Sequence, residues 1–492
     1  MERRIRLAGV FVLLLFLGLF IQLNNVQVIR AHALATSPGN PRTVTDQFGL
    51  PRGDIYSADG VLLATSVPTG KTPYAYQRVY PPNTATLFAQ ITGYSSILYG
   101  TYTGVEAEYN KYLTVHTTPI RNLHDLLTNH QVVDDVTLTI RASLQSQVAA
   151  AIDSVGSPAG AVVLDPSTGA VLAMYATPTF DPNPLSSIDI PTEQKAWAAD
   201  NAGGYTNTPL RSNAFQTTLA PGSDFKVITT SAILKGRPDL AAKVFSTSLV
   251  QIPLPNSGGR TLHNYGYYPC GGDLALLVAQ SCDAAFGQLG MDLGAKALVD
   301  EATLYGFNRP SPIDLPQAAM STIPPASSFT NNQPGLAYSA IGQENVSATV
   351  LQMAMAVSAV ANGGVIMTPH VMAQIRDSQG NLVTSYVPTP FSRVMSAQNA
   401  AQLSTFMQGV VTNPLGTAYG IFPPAWNVGA KTGTAQTGHN ENNDWMVAFA
   451  PASHPQVAVA VAVPFQAPGT VGATVAGPLV KKIIGAALGL GG

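Results

Sequence analysis

An α+β fold is predicted from two observations. β-Strand patterns lie near both ends of a long C-terminal region, and helical patterns fill the space between. The chain has 492 residues, more than one ordinary core accommodates, and 46% are hydrophobic, enough for a sizeable interior. One sheet built from the two ends of that region and covered by helices satisfies both observations.

The elements follow in chain order. Leu7–Ile21 is an unbroken apolar run preceded by Arg3, Arg4 and Arg6. Alone it falls short of a bilayer core, so the span borrows from Gln22 to Val28. The basic flank predicts a cytoplasmic N-terminus. Ala33-Leu34-Ala35 resembles a signal-peptidase site, but it lies far beyond the apolar run, which favours an uncleaved, single-pass membrane anchor over residues 1–29. Either outcome places the rest of the chain outside the cytoplasm. Residues 30 to about 50 are polar and proline-containing and read as a stalk. In "DIYSADGVLLA", Asp59-Gly60 between Ile55-Tyr56 and Val61-Leu62-Leu63 predicts a hairpin. In "TGVEAEYNKYLT", Val105, Tyr109 and Tyr112 share a helical face. The texture changes near Asp135, so the expected division is a stalk and pedestal over 30–135 and a second domain over 136–492. There, "DVTLTIRASLQSQVAAAID" predicts a strand and then a helix, and "AGAVVLDPSTGAVLAMYATPTF" two strands around a Pro-Ser-Thr-Gly turn. Helices are predicted from Ser223, over Leu274 to about Leu293, and over Ser347–Ala361. Strand patterns return in "WMVAFAP" and "QVAVAVAVP", before a last helix in "GPLVKKIIGAALGL".

Composition excludes some functions. Net charge is −2 with no basic block, which argues against a nucleic-acid partner. Eight histidines without H-E-x-x-H spacing, and only two cysteines, argue against a metal site. Cys270 and Cys282 could form one bridge outside the cell or remain a pair of buried thiols; the sequence leaves both open.

Three stretches carry chemistry. In "LAPGSDFKVITTSAIL", Pro-Gly precedes Ser223, and Lys226 follows on the same helical face. A serine hydroxyl needs an adjacent base, and a lysine becomes one only when burial or another cation lowers its pKa. Asp224 suits the positive end of the helix dipole. A capping serine beside a snorkelling lysine would look similar. But Phe225, Ile228, Thr229 and Ala232 make the helix a buried one, and no other lysine in the chain has a serine three residues before it. In "LALLVAQSCDAAFGQLG", Ser281 and Asp283 interrupt two helical runs, where a hydroxyl and a carboxylate can both face a cleft; a plain turn or cap is the alternative. In "VGAKTGTAQTG", Lys431, Thr432 and Thr434 alternate around Gly433, a strand able to pair with an extended peptide.

In this order, S-x-x-K at 223, S-x-D at 281 and K-T-G at 431 resemble the motifs of the penicillin-binding protein and serine β-lactamase superfamily. "RGDIYSADGVLLA", "TGVEAEYNKYL", "GAVVLDPSTGAVLAMYATPTFDPN" and "AIGQENVSATVLQMAMAVSAVANGG" extend the resemblance over nearly the whole chain. It is nearest to the class B, monofunctional members, of the penicillin-binding protein A type of actinobacteria. The resemblance implies an antiparallel sheet with helices on both faces, a smaller N-terminal pedestal and a membrane anchor. It implies a peptidoglycan D,D-transpeptidase acting through a serine acyl-enzyme, without metal or organic cofactor, on stem peptides ending in D-Ala-D-Ala, and trapped by β-lactams. Ser223 would be the nucleophile and Lys226 would take its proton. Ser281 and Asp283 would orient substrate and relay a proton. Lys431 would keep Lys226 neutral by like-charge repulsion and help bind the terminal carboxylate, with hydrogen bonds from Thr432 and Thr434. The N–H groups of Ser223 and Thr434 would form an oxyanion hole. A membrane glycosyltransferase of the shape, elongation, division and sporulation family is the implied partner. Asp283 departs from the asparagine of many members. Rival readings are a D,D-carboxypeptidase or β-lactamase of the same fold, or a catalytically idle scaffold for a polymerase. Glu301 and Glu344 lack the surroundings of a deacylating glutamate.

Overall fold

The computed structural model describes residues 2–30, 48–117, 131–156 and 158–490. Most of the expected stalk, with Ala33-Leu34-Ala35, lies outside the described residues. Helix α1, Glu2–Asn24, continues through a wider turn to Ile29; none of its side chains is buried, and it is long and apolar enough to cross a membrane.

The first sheet starts with the expected hairpin. Strands β1 (Ile55–Tyr56) and β2 (Leu62–Pro68) are antiparallel, and Gly60 at φ +78° supplies the left-handed residue of the turn. Strand β3 (Tyr76–Val79) extends it on one side. On the other, β4 (Asp134–Leu138) lies parallel to β1. Helix α2 (Ala142–Asp153) follows, and then the antiparallel pair β5 (Ala159–Leu164) and β6 (Val171–Thr177).

A helical region comes next. It includes α3 (Lys226–Gly236), α4 (Leu274–Gln280), α5 (Asp283–Leu293) and α6 (Val350–Ala361). Helix α6 starts two or three residues later than its apolar pattern suggests, because Thr349 is its cap: its hydroxyl accepts from Gln352 N at 2.9 Å. The chain then returns to the first sheet. Strand β7 (Met372–Asp377) pairs antiparallel with β4, and β8 (Leu382–Ser385) with β7. The first sheet therefore has the order β8-β7-β4-β1-β2-β3, with β7 and β8 at one edge drawn from far along the chain.

After α7 (Ala397–Thr412), three antiparallel strands complete the second sheet: β9 (Gly429–Gln436), β10 (Asn442–Ala450) and β11 (Val457–Gln466). Its order is β9-β10-β11-β5-β6, so the two ends of the region meet in one sheet as expected. The last helix, α8 (Gly472–Leu488), packs with α2 over one face, and α6 packs against β11 and β5. Residues Val457–Pro464 of the central strand β11 are buried without alternation, the pattern of a strand covered on both faces. Strand β9 pairs only with β10 and is the sheet edge on which the candidate site is built.

Candidate active site

The Pro-Gly before Ser223 does not open the α-helix directly. Gly222–Phe225 forms one 3₁₀ turn, and the α-helix begins at Lys226. Gly222 has φ +55°, and a Cβ there would lie 2.6 Å from Thr434 O, so only glycine lets this turn sit flush against strand β9. Helix α3 is buried on every side through Ile233, including its polar Thr229, Thr230 and Ser231, a wider face than the apolar stripe implies. Lys226 is thus carried into the interior with no exposed surface.

Between α4 and α5, Ser281 adopts the left-handed conformation at φ +60° and turns the chain sharply. Asp283 starts α5. Cys282 between them is joined by a disulfide to Cys270, so the bridged alternative holds. Asn264, buried, also braces this corner. Its side-chain amide donates to Leu249 O and Tyr268 O, and its oxygen accepts from Ala284 N at 2.9 Å. On β9, Lys431 is fully buried, and Thr432 and Thr434 face the same cavity as Ser223, Ser281 and Asp283.

These three stretches meet at one point. Lys226 Nζ lies 2.9 Å from Ser223 Oγ, 3.2 Å from Ser281 Oγ, 2.8 Å from Ser281 O and 2.6 Å from Asp283 Oδ1. Lys431 Nζ donates to Ser281 Oγ at 2.8 Å and to Thr432 O at 2.8 Å. Ser281 Oγ is therefore held between the two lysine Nζ atoms, and Ser223 Oγ sits on the near side of the first. Thr432 Oγ1 lies 2.6 Å from Thr417 Oγ1, and Thr434 Oγ1 accepts from Gly472 N at 3.1 Å. The cavity over this cluster measures ≈ 400 Å³, and Tyr265 and Tyr268 form part of its wall.

Both lysines are harder to charge than in water. Burial pushes Lys226 down, while Asp283 at ion-pair distance pulls the other way. Burial also pushes Lys431 down to about 7, with the field of Lys226 acting in the same direction. Like-charge repulsion acts between the two lysines, and of the two Lys226 has the carboxylate partner at ion-pair distance. Among the described residues no group of three or more His, Cys, Asp and Glu side chains could hold a metal ion.

Two neighbours escaped the sequence reading, and a third was read only in part. Asn264 and Thr417 belong to no recognisable pattern and act through contacts made only in the fold. Asp224 was legible as a helix-dipole partner, but its carboxyl is fully buried and neither oxygen has a hydrogen-bond partner among the described residues.

Comparison with known proteins bears on the same residues. Residues 159–485 match the family model described as penicillin binding protein transpeptidase domain, and residues 52–134 match the penicillin binding protein A dimerisation domain. The peptidoglycan D,D-transpeptidase PbpA of Mycolicibacterium smegmatis is 34% identical over 508 residues, covering 99% of each chain. The peptidoglycan D,D-transpeptidase MrdA of Escherichia coli is 28% identical, over 75% of this chain and 59% of its own. Among solved structures, penicillin-binding protein A from M. tuberculosis as a ceftriaxone acyl-enzyme complex superposes with a TM-score of 0.79 at 32% identity, covering 90% of this chain and 100% of that one. The D,D-transpeptidase domain of a peptidoglycan glycosyltransferase from Eggerthella lenta gives 0.76 at 30% identity, covering 90% and 99%.

Proposed function

The chain belongs to the class B penicillin-binding proteins, and from that premise we propose that Ser223 is its acylating nucleophile and Lys226 the base that takes the serine proton. The protein is a serine-type peptidoglycan D,D-transpeptidase that binds β-lactams. The observation that carries the residue assignment is the shared hydroxyl: Ser281 Oγ within 3.2 Å of Lys226 Nζ and 2.8 Å of Lys431 Nζ, with Ser223 Oγ 2.9 Å from Lys226.

In this reading the C-terminal carboxylate of a stem peptide lies against Thr432, Thr434 and the Lys431 side of the cavity. The peptide adds along the free edge of β9, beside Thr432 and Thr434. Ser223 Oγ attacks the carbonyl carbon of the penultimate D-Ala while its proton passes to Lys226 Nζ. Lys226 must be the free amine to accept it, which its burial favours. The proton then travels through Ser281 Oγ to the leaving D-alanine nitrogen. An amine from a second stem peptide attacks the acyl-enzyme, forming the new amide and freeing Ser223. A β-lactam opens by the same first step. Its ring-opened leaving group stays attached, so the acyl-enzyme persists.

Helix α1 fits a single-pass anchor. Its basic N-terminal flank supports a cytoplasmic start, with residues 30–135 as stalk and pedestal and 136–492 as the catalytic domain outside. A membrane glycosyltransferase supplying nascent glycan strands is the partner this arrangement serves. The test is labelled-penicillin acylation of the full chain, with product analysis on pentapeptide glycan strands. Wild type should be labelled and should form cross-linked dimers, and Ser223→Ala should do neither. Labelling that survives in Ser223→Ala removes the assignment.

A further inference from the structure

Helix α5 carries Asp283 into the site, yet its own sequence gives it no cap. Its N-cap position is Cys282, whose side chain accepts no hydrogen bond from the helix and whose sulfur is spent in the bridge to Cys270. Asp283 is the first helical residue, and the N–H groups of that first turn have no acceptor within the helix. An N-cap side chain ordinarily accepts from the second or third of them. Here the second, Ala284 N, donates to Asn264 Oδ1 at 2.9 Å, on a residue 20 positions earlier in the chain.

The surroundings of Asn264 fix which way its amide faces. The residue is 3% exposed, and its backbone N–H donates to Val250 O at 2.8 Å. Its side-chain NH₂ donates to Leu249 O at 2.8 Å and to Tyr268 O at 3.0 Å. A flipped amide would set its oxygen against those two carbonyl oxygens and its NH₂ against Ala284 N–H, so only one orientation satisfies all three partners. The same side chain closes the loop that carries Tyr265 and Tyr268 on the cavity wall. One residue before Ala284, Asp283 Oδ1 meets Lys226 Nζ at 2.6 Å. That carboxylate is held only as firmly as the helical turn that carries it.

We propose that Asn264 is a positioning residue for acylation: it caps α5 from the cavity-wall loop and so fixes the Asp283 carboxylate on Lys226. It acts through Asp283 and not on the substrate. The charged groups around Lys226 are Asp283 on α5, Asp224 on the 3₁₀ turn and Lys431 on β9, across Ser281 Oγ. Of these, Asp283 is the one at ion-pair distance among the described residues, and it is the one on the capped helix. Without the cap, Ala284 N–H is left with no acceptor and the first turn of α5 loosens. The carboxylate then stays less closely on Lys226, which holds its proton less tightly. The inference rests on the reading of Ser223 as nucleophile and Lys226 as its base.

The experiment is the pH profile of the second-order acylation rate of the full-length protein with benzylpenicillin, whose acid limb follows loss of the Lys226 proton. Asn264→Leu, close in volume but without polar atoms, should lower the plateau about three- to tenfold. It should also move the acid limb to lower pH by about half a unit or more. Asn264→Ala, which leaves room for water at the freed carbonyl groups, should give the same shift; whichever variant melts as a folded protein is read. In an Asp283→Asn background, Asn264→Leu should move the limb no further. Loss of a merely structural contact lowers the rate equally at every pH and in both backgrounds. Hydrogen exchange at residue resolution tests the cap in the unmutated protein: the Ala284 amide should exchange as slowly as that of Phe286, and fast exchange overturns the proposal. A parallel profile, or an equal shift in the Asp283→Asn background, overturns it too. Failure of the underlying reading looks different. Labelling would then persist in Ser223→Ala, or the limb would stay fixed in Asp283→Asn itself, and the inference falls with the nucleophile or the base. A limb that moves in Asp283→Asn but not in Asn264→Leu sinks the inference alone.

Discussion

Asp283 stands where many members of the family carry asparagine, and the structure shows what the carboxylate adds. Its Oδ1 lies 2.6 Å from Lys226 Nζ and 3.5 Å from Ser223 Oγ. It raises the proton affinity of Lys226 against the effect of burial. Asp283→Asn removes that support, so Lys226 becomes the free amine at lower pH. The acid limb of the acylation profile should move to lower pH by about one to three units. Stopped-flow acylation across pH measures it, and a limb that stays in place would show that Lys226 is not the titrating base. At this scale Ser223, Lys226 and Lys431 were legible because their spacing is local. The pairing of Lys226 with Asp283 was not, since it depends on a contact made only in the fold.

Two sequence motifs of the pedestal, far apart in the chain, turn out to be the halves of one ion cluster. Arg52 donates to Glu106 Oε2 through Nε at 3.0 Å and Nη2 at 2.7 Å, and Arg78 donates to Oε1. Tyr80 OH donates to Oε1 at 3.2 Å, and Arg78 Nη1 to Gly53 O at 2.8 Å. Burial opposes the charge on Glu106, but Arg78 and Arg52 overcome it and hold its pKa below the ordinary value. Glu106→Gln leaves two buried guanidinium groups without their anion, a loss of about 3–5 kcal/mol. The variant should melt well below wild type in calorimetry of the full chain. In wild type this contribution is complete above the ordinary glutamate pKa and is lost as pH falls through the depressed native one. The helical face read over Val105, Tyr109 and Tyr112 is realised as two short helices, Gly104–Glu108 and Asn110–Leu113, with the break at Tyr109. There, Tyr109 OH donates to Asp314 Oδ2 at 2.5 Å, a long-range contact that no local pattern encodes. The edge strand β9 carries a second element-scale prediction. A Cβ at Gly433 would lie 2.7 Å from Pro221 O and 3.0 Å from both Asp224 Cγ and Trp445 Cβ. Gly433→Ala should cost about 1–3 kcal/mol of stability and push the strand off the Ser223 turn. Acylation measured below the melting range should fall as well; unchanged acylation would mean the strand gives way without moving Lys431.

At the scale of the whole molecule, the hydrophobic patterns supplied the strands of the second sheet and the β1–β2 hairpin and β4 of the first, but not β3, β7 and β8, the helix α7, or the pairing of the first sheet. The change of texture near Asp135 suggests a boundary there, yet Asp134–Leu138 is a central strand, flanked by β1 on one side and β7 on the other. Strand order is a long-range property, and nothing local in Met372–Ser385 announces that it returns to the pedestal. Further contacts cross the same seam. Asp59 in the hairpin turn accepts from Ala142 N at 2.7 Å and Ser143 N at 3.1 Å, capping α2 from outside its own segment. Asp314 accepts from Val371 N and Met372 N while it also holds Tyr109. A chain begun at Ala142 therefore loses the cap of α2 and the strand between β1 and β7. It strips cover from Ile375, which is fully buried, and leaves β7 with an unpaired strand edge, a template for aggregation. A chain begun at Phe48 keeps all of these. We expect the shorter fragment to be insoluble or unlabelled by penicillin, although it contains Ser223, Lys226, Ser281, Asp283 and Lys431. The longer one should be soluble and acylate at the rate of the full chain. Equal solubility and equal labelling of the two fragments would mean that the pedestal is an appendage; the strand order argues that it is a structural part of the catalytic unit.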